Sequence, residues 1–327
     1  MTNDRRSARK RSTPTPSLTD LPTELLLQII SYDTSLNFLT ALERRESEDS
    51  DRRWARRQVL RALSQSCSTL RAVFLPALWE RVDISKPNFR QRDLTGEVAS
   101  RIFAYIKFVQ VSMQVWSMKE MKPILHLVKF LRSLPKLADL RIRSVNWEVD
   151  KLLVSAFADV SLPTVASLAV ADALHPIFHA FPNVTTLACP LILAGSDALR
   201  SAIAHFRRLS TLVGLRMYKV WPHFKFDTDS ISECARHFPR LRALSITTPL
   251  PREPQLQTGL GFLRAFTQLA ELTFFHRSLD RHTLPLDVLV AQGTEILKAS
   301  RSPDAKVFRI WNGISTEGWS LFYEKQC

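Results

Sequence analysis

Apolar residues in the first part of the chain recur at helical spacing, whereas further along they come in short alternating bursts. Leu21, Leu25, Leu26, Ile29 and Ile30 fall at i, i+4, i+5, i+8 and i+9, which places them on one face of a helix. Asp20 precedes them as a cap, Pro22 sits in the first turn, and Glu24 lies at the dipole end that favours acids. A second helix is predicted over Val59–Phe74, with Leu60, Leu63, Cys67, Leu70 and Phe74 along one side. Between the two, the mixed-charge stretch 43–57 reads as a solvated loop inserted at a helix connection, where added length costs little. Residues 1–17 are polar, contain Arg5, Arg6, Arg9, Lys10 and Arg11, and end in Thr13-Pro14-Thr15-Pro16. That composition predicts a disordered basic tail.

From about residue 85 a short phrase recurs: Leu or Phe, often Pro, then L-x-x-L-x-hydrophobic. Copies run from Leu134-Pro135 to Ile142, Leu162-Pro163 to Val170, Phe181-Pro182 to Cys189 and Phe238-Pro239 to Ile246. Phe206 to Leu212 and Phe266 to Phe274 lack the proline, and weaker versions surround Val109 and Phe308. Taking the second anchors as residues 109, 140, 168, 187, 212, 244, 272 and 308, the steps are 31, 28, 19, 25, 32, 28 and 36. Such a period resembles leucine-rich repeats. In x-x-L-x-L alternate residues of a short strand point inward, and a helix-like stretch such as 196–206 or 230–238 precedes the phrase. No single unit of this kind buries its own apolar face, so stacked units are expected to form an α/β solenoid with a parallel concave sheet. Trp311, Trp319, Phe322 and Tyr323 are expected to cover its last unit.

Composition removes several enzyme classes. Only 8 of 327 residues are glycine, and no phosphate-cradling glycine loop or nucleophile-elbow motif occurs. His175 and His179 are four apart, but no Glu lies between them and Pro176 interrupts the turn, so no metal role is expected. Neither a catalytic residue nor a cofactor is predicted. Cys67, Cys189, Cys234 and Cys327 are too far apart for a zinc site and form no disulfide framework. The N-terminus has no signal-peptide pattern and no apolar run approaches membrane-spanning length, so the expected location is intracellular, nuclear or cytoplasmic. The net charge of +14 is spread along the chain, +6 in residues 1–92 and +8 in 93–327.

The N-terminal block carries a family resemblance. Leu21-Pro22-Thr23-Glu24-Leu25-Leu26 opens it, a helix with Cys67 near its middle follows, and Leu75-Pro76-Ala77-Leu78-Trp79 closes it. In that order, ahead of leucine-rich-like repeats, these residues resemble a fungal-type F-box protein with C-terminal degenerate leucine-rich repeats. The charged insertion 43–57 is where the sequence departs from the family pattern. The resemblance implies an all-α F-box of three short helices over 18–84, a leucine-rich-repeat horseshoe over 85–327, and no catalysis by this chain. It implies a substrate-recognition subunit of a Skp–cullin–F-box ubiquitin ligase, bound to a Skp-type adaptor and through it to a cullin. Positions matching the family's adaptor contacts are Leu21, Pro22, Leu25, Leu26, Ile29, Leu63, Leu78 and Trp79.

A protein substrate is then expected on the strand positions that alternate with the inward anchors. These include Arg141, Arg143, Ser167, Thr186, Thr211, Ser245, Thr273 and Phe275. The full set of such positions holds as many acids as bases, which does not suit a phosphate-binding groove and argues against nucleic acid. The residues alone also admit a non-catalytic repeat scaffold for protein–protein interaction, or a basic nucleic-acid-associated protein acting through its tail and loop arginines.

Overall fold

The recurring phrase folds as a turn followed by a strand. The computed structural model describes residues 21–26, 46–84, 101–113, 121–143, 147–170, 172–190, 212–218, 235–247, 260–277, 286–314 and 318–327. In the turn the fourth residue's N–H donates to the first residue's carbonyl. The pairs are Ile106 to Phe103, Leu137 to Leu134, Val165 to Leu162, Val184 to Phe181, Leu241 to Phe238 and Leu269 to Phe266, at 3.0–3.5 Å. Pro135, Pro163, Pro182 and Pro239 occupy the second turn position, where the fixed φ of proline is already correct.

The strands are β1 (Arg81–Ile84), β2 (Phe108–Ser112), β3 (Asp139–Arg143), β4 (Ser167–Val170), β5 (Thr186–Pro190), β6 (Gly214–Tyr218), β7 (Ala243–Thr247), β8 (Glu271–Arg277), β9 (Val307–Ile314) and β10 (Gly318–Gln326). They form one sheet whose spatial order follows chain order. β1 to β9 are parallel, and β10 turns back antiparallel to β9. At strand entry the carbonyls of Glu80, Lys107, Ala138, Ala166, Thr185, Val213 and Arg242 each accept two consecutive N–H groups from the next strand. This repeated two-to-one contact holds the register constant across the sheet and satisfies the buried backbone there.

That register stacks like with like. Val82, Val109, Leu140, Leu168, Leu187, Leu215, Leu244, Leu272 and Phe308 form one continuous inner row. From Leu140 to Leu272 these rungs are 0–3% exposed, and burying each stabilises the fold by about 1.5–3 kcal/mol. The sixth rung corrects the sequence reading. Leu212 ends one L-x-x-L match and begins the next, and the strand uses the later one, so Leu215 faces inward and Thr211 lies outside the described residues. The spacing from Leu187 to Leu215, Leu244 and Leu272 thereby becomes 28, 29 and 28 residues.

Helices cover the inner face, giving an α/β arrangement. The segments are α3 (Met121–Arg132), α4 (Trp147–Ala156), the 3₁₀ segments Asp172–Ala180 and Leu260–Ala265, and α5 (Leu286–Ala299). α3 touches α4, and α4 touches the Asp172–Ala180 segment. Leu127, Leu131, Leu153, Ile177, Leu263 and Leu297 from these segments join the same core as the inner row. Of the helix-like stretches expected before the strands, 196–206 lies outside the described residues, and 235–237 is helical.

The N-terminal block differs from expectation in three places, the first being that its end, Arg81–Ile84, is strand β1 within a stretch expected to be all-helical, because it pairs with β2. The stretch expected to be a loop is helical from Glu46 onward, as part of α1 (Glu46–Ser66). The sequence sets Glu48 four residues before Arg52 and Asp49 four before Arg53, a spacing that supports helix and outweighs the charge density. The single helix expected over Val59–Phe74 is instead broken at Cys67. That residue adopts extended geometry (φ −155°, ψ 170°) and caps α2 (Ser68–Trp79), its Sγ accepting from Leu70 N–H. α2 runs directly into β1 at Arg81.

Candidate functional site

Two surfaces carry the residues singled out in the sequence. The first is the helical block. Leu26, Leu60, Leu70 and Phe74 are 1–5% exposed and make a small core separate from that of the sheet. Leu21, Leu63, Cys67, Val73, Ala77 and Leu78 pack partly buried around it. At the start of the helical turn, Pro22 is exposed and its carbonyl accepts from the N–H groups of Leu25 and Leu26.

The adaptor candidates therefore divide. Leu26 is a core residue at 2% exposure and is withdrawn as a direct contact. Leu25 projects outward with 45% of its surface exposed, although it is the neighbouring leucine. Leu21, Leu63, Leu78 and Trp79 are half-buried, Pro22 is exposed, and Ile29 lies outside the described residues. Trp79 closes α2 with the Arg57 guanidinium 5.9 Å from its ring centroid. Sequence reasoning missed Trp54 (66% exposed) and Val59 (56% exposed), both on α1. Their signal was present: apolar residues set in a charged helix stand out once the stretch is read as helix rather than loop.

The second surface is the outer face of the sheet, opposite the leucine row. Among the described side chains, its two ends carry long ones and its middle short ones. At the first end, Arg81 lies 4.0 Å and Arg141 4.8 Å from the centroid of the Phe108 ring, both within cation–π range. Asp139 sits beside them. Burial raises its carboxyl pKa above the ordinary value of 3.8, and Ser167, Arg141 and Arg81 oppose that effect without cancelling it. At the far end Arg309 donates to Glu324 at 2.7 Å and to Glu271 at 3.1 Å. Burial works against its charge, but the two carboxylates outweigh it and hold the guanidinium firmly protonated. Phe275 and Trp311 stack there, 6.2 Å apart at 24°. Tyr323 of β10 packs on the last rung of the core, its ring 6.3 Å from Phe308. The side chains of Trp319 and Phe322 lie outside the described residues.

Four of the substrate candidates prove to be internal. Arg141 and Phe275 are each 2% exposed, Ser245 5% and Thr273 7%. Arg141 is occupied by Phe108 and Phe275 by Trp311, while short Thr273 lies in register beside Arg309. Arg143, Ser167 and Thr186 remain half-exposed on that face. Ala169, Ala188, Gly214 and Ala243 line the centre of the face with them, and the register sets Arg216 in the same row as Ala188, its side chain outside the described residues.

Of the histidine pair, His179 has structural partners, and the side chain of His175 lies outside the described residues. His179 places Nδ1 2.7 Å from Pro176 carbonyl and Nε2 2.9 and 3.0 Å from the carbonyls of Phe157 and Ala158. The ring ties the 3₁₀ segment to the end of α4. Among the described residues no three His, Cys, Asp or Glu side chains gather as metal ligands, and no helix is long and apolar enough to cross a membrane. No protein-family model matches the sequence, and no curated protein matches it.

Proposed function

We propose that the chain is the substrate-recognition subunit of a Skp–cullin–F-box type ubiquitin ligase, built as an F-box followed by a leucine-rich-repeat solenoid. One observation carries the reading. A helical block with its own four-residue core leads through β1 into a sheet in strict chain order, with leucine rungs spaced 28, 29 and 28 residues apart from Leu187 to Leu272. A sheet ordered this way grows by one unit at a time, each contacting its neighbours, and β10 closes its open end.

In this reading the block docks a Skp-type adaptor through Leu25 and Pro22, with Leu21, Leu63, Leu78 and Trp79 at the margin. An exposed leucine beside a folded core is the kind of anchor a partner groove takes. The outer sheet face around Arg143, Ser167 and Thr186 receives the protein substrate. No catalytic group is assigned, because ubiquitin transfer belongs to other subunits of such a complex. The test is adaptor capture by the full chain and by a Leu25→Asp variant. Leu26 is unsuitable for this purpose, since a carboxylate there would break the block's core and mimic a lost contact.

A further inference from the structure

Among the described residues, the outer surface of helix α3 carries charge of one sign. Its inner side, Ile124, Leu127, Val128, Phe130 and Leu131, is buried in the core. Its outer side carries Lys122, Leu125, Lys129 and Arg132, all exposed, with His126 half-buried among them and Lys136 exposed in the turn that follows. From Lys122 to Arg132 the line runs about 15 Å along the axis. The helix contains no acidic residue.

Among the described residues, other surface cations are balanced by acids. Lys107 lies 2.9 Å from Glu80, Arg242 2.8 Å from Asp304 and Lys298 3.3 Å from Glu295. Among the described residues none of Lys122, Lys129, Arg132 and Lys136 makes such a pair. Leu125 stands inside this cationic line with 50% of its surface exposed.

From this arrangement we infer that the outer face of α3 docks an acidic peptide segment of a protein partner, seating an apolar side chain against Leu125. Charge complementarity selects the partner, and the leucine selects its class. A phosphate backbone gains nothing from a leucine at the centre of its track, and no exposed aromatic ring of α3 is present to stack a base. A membrane surface needs a broad apolar face, and that of α3 is already spent on the core. The site lies on the helical side of the sheet, away from the face assigned to substrate, and does not depend on adaptor binding.

The experiment is fluorescence anisotropy with the full chain and a labelled Glu-rich peptide bearing one central leucine, at low and moderate salt. Binding is expected, weakening as salt rises. Lys129→Glu with Arg132→Glu should weaken it about tenfold, and Leu125→Ser should weaken it about threefold or more. These side chains are exposed, so circular dichroism should show unchanged folding. Absence of binding, or equal binding by all variants, would overturn the inference. So would tighter binding of a single-stranded oligonucleotide or of anionic lipid vesicles that Leu125→Ser leaves unaltered.

Discussion

Gly293 of α5 faces the ring of Phe308 on β9 so closely that a Cβ at position 293 would lie 2.2 Å from Phe308 Cε2. Phe308 is fully buried and is the last rung of the inner row. The glycine is thus a packing requirement, fixed by how near the helix must approach the sheet.

Gly293→Ala should therefore destabilise the chain by about 1–3 kcal/mol, although alanine is favoured over glycine in an isolated helix by about 1 kcal/mol. Urea unfolding measures the loss. Adding Phe308→Leu should recover part of it, because the flat ring is what the new methyl meets. Additive losses in the double variant would show that the two positions do not share one contact.

Asp139 gives a pH signature. Its carboxyl pKa is raised in the fold by burial, so the folded state holds the proton more tightly than the unfolded chain. The contribution to stability is fully present below the unfolded value and is lost as pH rises through the folded one. Wild type should lose stability relative to Asp139→Asn from about pH 4 upward. Urea midpoints of both proteins across that range test it, and a difference that stays constant with pH would contradict the assignment.

His179→Ala should cost about 1–2 kcal/mol, since it strips the donor from the carbonyl cluster of Pro176, Phe157 and Ala158. Thermal unfolding of the variant, with and without added zinc, measures both roles at once. A structural brace predicts a lower melting temperature and no response of wild type to zinc. Zinc stabilisation lost in the variant would assign the ring to metal instead.

The repeating part of the fold was legible because one phrase encodes two things. Pro135, Pro182 and their equivalents mark the turn, and Leu140, Leu187 and Leu244 mark the strand that must follow. The slip at Leu212 arose where two L-x-x-L matches share a residue, and only pairing with Leu187 and Leu244 chooses Leu215. Alternation also said which side of β3 Arg141 occupies, but not that Phe108 on the preceding strand, β2, would cover it. Charge density hid the helix at Glu46–Arg57, because a run of acids and arginines satisfies both a solvated loop and a solvated helix. β1 escaped notice for a simpler reason: four residues, Arg81–Ile84, carry too little alternation to be read without the neighbour they pair with.

The most direct test of the proposed role is co-expression of the full chain with a Skp-type adaptor, followed by size-exclusion chromatography. The account predicts co-elution as a one-to-one complex that survives moderate salt and is lost in Leu25→Asp, with the variant's circular dichroism unchanged. A folded chain that elutes apart from the adaptor would contradict it, as would a Leu25→Asp variant that still co-elutes.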